Sequence, residues 1–150
     1  MSDWDNIVNN VNKLDQWAIL RYTLDTTPVK LFIAELNTDN QLGLGLDSTG
    51  EVFGLYKSFS YSSFKQGLPG RNAPFGVVDL RLTGDYWDSF SVKIETNGDI
   101  DIDSDPVKGE RNLIRIYGSG IEGLSDDSIR LLIENIIDEY AENTIKAILK

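Results

Sequence analysis

Five carboxylates crowd one short stretch of this chain: Asp99, Asp101, Asp103, Asp105 and Glu110. Three kinds of chemistry use such a row. Counted as a calcium loop, these residues occupy positions 1, 3, 5, 7 and 12, but position 6 is Ser104 where a glycine is needed, and Pro106 falls inside the loop. Pairs such as Asp85 with Asp88, or Asp101 with Asp103, have the groups for acid–base work, but carboxylates are common and a pair means little without geometry. The third chemistry is attraction of a basic partner. The chain has no cysteine and no histidine, which excludes disulfides, thiolate zinc sites, and the dyads and triads built on His or Cys. It has no Walker loop, no GxSxG elbow and no GxGxxG after a strand, and Gly118-Ser119-Gly120 is too short a phrase to cradle phosphate. No catalytic residue, metal or cofactor is expected, and the chain does not read as an enzyme.

The net charge of −10, from 24 acidic and 14 basic residues, repels nucleic acid and anionic membrane and attracts basic proteins. Residues 84–110 hold eight acids and two bases, and residues 122–142 hold seven acids and one base. Folded together, these segments would make a surface resembling a nucleic-acid backbone. The plainer reading is that the charge keeps the protein soluble and shields an exposed strand edge. Residues 57–76 differ: they contain Lys57, Lys65 and Arg71, four aromatic residues and no acid. This segment is either a binding loop with aromatic anchors or a long connection whose aromatics close an open edge of the core.

The acidic row needs an element to carry it. Phe90, Val92 and Ile94 alternate with polar residues, Asn97-Gly98 follows, and Ile100 and Ile102 alternate with the aspartates. That pattern predicts an antiparallel hairpin with one apolar face, one carboxylate face and a type I′ turn at Asn97-Gly98. Before it, helical spacing from Trp4 to Leu14 predicts a first helix over 3–14 with Ser2 as N-cap. Segments 17–24, 29–36, 42–46, 51–56 and 77–82 read as strands, with turns at Asp25–Pro28, Asn37–Asn40 and Asp47–Gly50. A short helical turn is expected at 62–66, ended by Gly67. Residues 112–117 read as a last strand and 118–123 as a flexible link. Ser125 caps a long helix whose stripe runs through Ile129, Leu132, Ile133, Ile136, Ile137, Tyr140, Ile145 and Ile148.

Helix, run of strands, helix is the order of an α+β fold. One domain over 1–150 is expected, an antiparallel β-meander with an N-terminal helix and a long C-terminal helix packed on it. The start MSDWDNIVNN lacks a basic n-region and an apolar h-region, and no apolar run approaches the roughly 20 residues of a membrane span, so a cytoplasmic location is expected.

A small acidic chain without Cys or His, arranged in this order, resembles the bacterial immunity proteins that accompany contact-dependent growth inhibition and other polymorphic toxins. The phrase WDSFSVKIETNGDIDID, within residues 86–105, is similar to one found in some of those families. The resemblance implies an antitoxin that binds a cognate toxin, often a nuclease, and occludes its basic active-site region. The charge balance, separately, leaves no nucleic-acid or membrane partner expected. On the antitoxin reading Asp99, Asp101, Asp103 and Asp105 meet Lys or Arg of the toxin, with Tyr86 and Trp87 as aromatic anchors and Asp88 beside them. The alternative is a small-ligand-binding or regulatory module that uses a concave sheet face and the 57–76 loop.

Overall fold

The computed structural model describes residues 2–12 and 16–148. Helices stand at both ends and antiparallel strand pairs lie between them, the expected α+β class. Helix α1 spans Asp3–Asn12. Ser2 caps it as expected: its hydroxyl accepts from the Asp5 N–H at 3.2 Å, and the Asp5 carboxylate accepts in return from the Ser2 N–H at 2.9 Å. This reciprocal box holds the Asp5 carboxyl below its usual range. The Leu14 end of the expected helix lies outside the described residues.

The strands expected at 17–24 and 29–36 are helices instead, α2 (Gln16–Leu24) and α3 (Thr27–Glu35). Val29, Leu31 and Ile33 alternate, but Val29, Ile33 and Leu36 also recur at helical spacing, and those three are the residues buried. Leu31, the member that fits only the strand pattern, is exposed. Thr26 is the N-cap and Pro28 sits in the first turn, so the residues read as a turn are a helix start. Asn37–Asn40 is not a turn either. The helix continues as a π-helical turn, Leu36–Gln41, then a 3₁₀ turn, Leu42–Leu44.

The expected hairpin is present. Strands β1 (Ser91–Ile94) and β2 (Ile100–Asp103) pair with Val92 opposite Ile102 and Ile94 opposite Ile100. Those four side chains pack on Leu24, Val29, Ile33, Leu36 and Leu132, the larger core. The turn differs from expectation. Glu95 accepts from the Gly98 N–H at 3.0 Å and donates to the Asp99 carbonyl at 2.9 Å, so three residues form the loop. Gly98 alone takes positive φ, at 91°, the geometry of a turn followed by a bulge.

The meander does not extend through 42–56 and 77–82. There the chain makes two isolated bridges, Leu46 with Val52 and Leu55 with Val77. Helix α4 (Phe59–Gln66) contains the expected helical turn, begins three residues earlier under a Ser58 cap, and ends at Gly67 as expected. A short helix α5 (Asp85–Asp88) precedes the hairpin. Strands β3 (Val107–Lys108) and β4 (Arg111–Asn112) form a minimal second pair. The expected last strand is a helical turn, α6 (Leu113–Tyr117), because the Asn112 side chain caps it by accepting from the Arg115 N–H at 2.9 Å.

Residues 118–123 are pinned. Ile121 is fully buried in a second core with Leu42, Tyr86 and Leu113. Ser125 then caps α7 (Asp126–Leu132) as expected, accepting from the Ser128 N–H at 3.3 Å. A π-helical turn, Ile133–Ile137, joins α7 to α8 (Asp138–Ile148). Leu132 and Ile136 pack on the larger core, whereas Ile129 and Ile133 are exposed. The side chains of Ile145 and Ile148 lie outside the description. No helix among the described residues is long and apolar enough to cross a membrane.

Candidate functional site

The hairpin sends Asp99, Asp101 and Asp103 to one exposed face, as the alternation requires. Across the ladder Asp103 faces Ser91 and Asp101 faces Lys93. Lys93 pairs with Glu95, whose hydrogen bond and charge push the ammonium pKa up, with Asp101 adding to it. Asp105 lies past the strand end. Its N–H donates to Ser89 Oγ at 3.0 Å and its carboxylate accepts from the Val107 N–H at 3.1 Å.

The aromatic residues expected beside this row lie elsewhere. Tyr86 is 3% exposed and sits in the second core, edge-on to Phe90, so it presents almost no surface to a partner. Trp87 is half-buried. Its indole N–H donates to the Asp79 carbonyl at 3.2 Å, and the Arg81 guanidinium lies 4.8 Å over its ring. Asp88 is exposed and lines a shallow hollow with Trp87, Arg81 and Phe90. The expected site residues therefore divide: three carboxylates share the hairpin face, and Tyr86, Trp87 and Asp88 belong to other surroundings.

A second arrangement was not visible as a unit in the sequence. A cleft of about 970 Å³ opens between residues 56–65, 78–86 and 108–117. Its walls carry Tyr56, Tyr61, Tyr117 and the edge of the buried Tyr86, with the cations Lys57, Lys65, Arg81, Lys108 and Arg111, against one acid, Asp85. Tyr117 packs against the backbone at Gly54, where a Cβ would lie 2.9 Å from the ring, so only glycine fits without a shift. Fourteen basic residues less Lys13 and Lys150, which lie outside the description, leave twelve. Seven of these pair with a carboxylate, and Arg21, Lys57, Arg81, Arg111 and Arg115 make no ion pair with any described carboxylate. Three of those five line this one cleft, although acids outnumber bases overall.

Beneath the cleft lies a buried charge network. Asp79 accepts from Lys65 Nζ at 2.8 Å, from Arg71 Nη1 and from the Tyr56 hydroxyl at 3.1 Å. The Lys65, Arg71 and Asp79 side chains are 2%, 2% and 4% exposed. Lys65 also donates to the Arg81 carbonyl, and Arg71 to the Val77 carbonyl. Burial first, then the Asp79 charge, pushes the Tyr56 phenol far above its usual pKa, so it stays protonated. Leu80, between Asp79 and Arg81, is the non-glycine residue with positive φ among the described residues, at 54°. An Asp79 Oδ1 acceptor 3.2 Å from the Arg81 N–H closes that turn. A leucine held there carries backbone strain, tolerated because Asp79 is fixed on every side.

The 57–76 segment does not close the core with its aromatics. Phe59, Phe64 and Phe75 are exposed, with the Phe59 and Phe75 rings 5.5 Å apart. Lys57, Tyr61 and Lys65 from the same segment form a wall of the cleft. The one signal for it in the sequence was the absence of acid between 57 and 76. Comparison with known protein families, characterised proteins and solved structures finds no match for the chain.

Proposed function

We propose that this protein is a binding module whose working site is the cleft between residues 56–65, 78–86 and 108–117, and that its ligand is a small anion. One observation carries this. In a chain of net charge −10, three of the five described cations that lack a carboxylate partner converge on a single concavity. A cleft with cations on its walls and tyrosines between them has the usual makeup of a ligand site, apolar rings with a few placed charges. The test is a thermal-shift screen of anionic and neutral metabolites on the whole protein and on Arg111→Ala. A ligand that raises the melting temperature of the parent and not of the variant supports the site. Equal shifts in both would place the ligand elsewhere.

A second reading keeps the toxin-immunity role, and the observation favouring it is the outward face of Asp99, Asp101 and Asp103. Such a face speeds association with a basic partner and adds charge-assisted contacts. The test is co-expression with the C-terminal domain of the product encoded upstream of this chain, scored for toxicity on its own. Rescue of growth that is weakened by Asp101→Lys with Asp103→Lys supports it, and rescue unchanged by the pair removes the hairpin from the interface.

A further inference from the structure

We infer that the cleft takes a nucleotide: a planar ring carrying two or more negative charges on phosphate. This rests on the ligand-binding reading above and narrows it to a chemical class.

The charge of the cleft floor favours an anion. Lys65 and Arg71 bring two positive charges and Asp79 one negative, all with side chains almost fully buried. The Tyr56 hydroxyl donates to Asp79 and stays neutral, while its ring faces Lys65 Nζ at 5.9 Å and the Arg71 guanidinium at 5.7 Å and offsets part of their charge. In formal charges the network carries one positive in surplus, met by the Arg81 and Val77 carbonyls and the Tyr56 ring but by no second described carboxylate, and a buried charge without a full counter-charge is costly. Of the triad it is Lys65 that reaches the cleft wall. An anion seated there compensates the surplus without rearranging the network.

The walls ask for more than one charge. Lys57 and Arg111 come from different segments and form no ion pair with any described carboxylate, whereas the Arg81 guanidinium is held over Trp87 and donates to the Gly70 carbonyl at 3.3 Å. Lys108 joins them, with Asp105 no nearer than 3.9 Å. The single acid on the lining, Asp85, accepts from the Thr83 hydroxyl at 2.8 Å. One carboxylate ligand would leave most of these cations unpaired. Phosphate groups with several oxygens suit guanidinium and ammonium donors arriving from different sides.

The planar ring follows from the tyrosines. Tyr61 stands edge-on to Tyr56 with centroids 5.0 Å apart and remains partly exposed toward solvent. Tyr117 stands edge-on to Phe53 and is only half-buried. Both rings are braced, and both line the same cleft as Lys57, Lys108 and Arg111. A base stacked on such a ring gains about 1–3 kcal/mol, with little dependence on which base it is. At about 970 Å³ the cleft accepts a ligand of nucleotide size. A free nucleotide meets only the local field. A polynucleotide would meet the −10 charge and the hairpin carboxylates as well, so the small molecule is the occupant.

Calorimetric titration of the whole protein, without divalent metal, tests this with ATP, UTP, tripolyphosphate and adenosine. Both nucleotides are expected to bind. Tripolyphosphate should bind about ten-fold more weakly, for want of stacking, and adenosine should give no measurable heat. Arg111→Ala and, separately, Lys57→Gln should each weaken ATP by about ten-fold or more, the weight of one charge-assisted contact. Both residues are exposed, so their circular dichroism should match the parent. Adenosine as tight as ATP overturns the charge assignment, and tripolyphosphate as tight as ATP overturns the ring. No binding by either nucleotide overturns the class. Should the metabolite screen above then yield an anion that is not a nucleotide, its shift lost in Arg111→Ala, the small-anion reading survives while this inference does not.

Discussion

Lys65 Nζ lies 2.8 Å from Asp79 Oδ1, and neither side chain has more than 4% of its surface exposed. This pair joins α4 to the 78–82 segment and so holds two walls of the cleft together. Removing one member of a buried ion pair strands the other charge. Asp79→Asn leaves Lys65 and Arg71 facing each other without an anion, and should cost about 3–5 kcal/mol. Replacing Lys65 and Asp79 together by Met and Leu should cost less than Asp79→Asn alone, because Arg71 is then the only stranded charge. Urea denaturation of the three proteins measures both. A loss under about 1 kcal/mol for Asp79→Asn would show that the network is not holding the walls.

Gln41 does comparable work for the larger core. It is 2% exposed and its amide makes two bonds to a segment 82–84 residues away: Nε2 donates to the Gly123 carbonyl at 2.8 Å, and Oε1 accepts from the Ser125 N–H at 2.7 Å. Asn37, one turn earlier, makes a matching pair with the Ile121 carbonyl at 3.2 Å and the Gly123 N–H at 3.1 Å. These bonds fix the entry to α7. Gln41→Leu orphans a partly buried carbonyl and a buried N–H, each worth up to about 1–3 kcal/mol. A loss of about 2–5 kcal/mol is expected on denaturant unfolding. Hydrogen exchange should speed up at Ser125 more than at Ile33. Equal acceleration at both sites would mean that the clamp acts on the whole fold and not on this joint.

The contrast between these elements shows what was legible. The 91–103 hairpin could be read because Val92, Ile94, Ile100 and Ile102 fit a period of two and no other. Val29 to Leu36 fit both periods, and the choice was made by partners far away. Asn37 and Gln41 look like turn and solvent residues until their bonds to 121–125 are known. The cleft was hidden for the same reason. Lys57, Arg81 and Arg111 stand in three separate segments, and only tertiary packing brings them together. The acidic row drew attention because its members are close in sequence.

Gly98 tests the hairpin turn. Its φ of 91° is open to glycine, reluctantly to asparagine, and costly to residues with an ordinary side chain. Gly98→Ala should cost about 1–2 kcal/mol, and Gly98→Asn less, by thermal unfolding. The turn rests on α2: Arg21 Nη1 donates to the Thr96 carbonyl at 3.4 Å. A strained turn should therefore also loosen α2, seen as faster exchange near Arg21. An alanine variant as stable as the parent would mean that the loop can adopt a turn without positive φ.

Tyr86 sets the alkaline limit. Burial, with the Glu122 charge adding to it, pushes its phenol up to about 12. The hydroxyl lies beside Ser104, but that residue donates to Glu122, and the Tyr86 oxygen closes no hydrogen bond of good geometry. Two consequences follow. At neutral pH Tyr86→Phe removes a buried polar atom that has no partner, so stability should be unchanged or rise by up to about 1 kcal/mol. At high pH the sign is fixed by the direction of the shift. A phenol with a folded pKa raised above its unfolded value of about 10 contributes stability that is whole below pH 10. That contribution is lost as pH rises through the folded value near 12. Across that window the parent should lose up to about 1.4 kcal/mol per pH unit from this group. Tyr56 and Tyr117 are shifted in the same direction and add to the fall. The Phe variant should show a shallower decline, measured by urea unfolding at several values between pH 9 and 11.5. Parallel curves for parent and variant would mean that Tyr86 does not hold its proton any longer in the folded state than in the unfolded one.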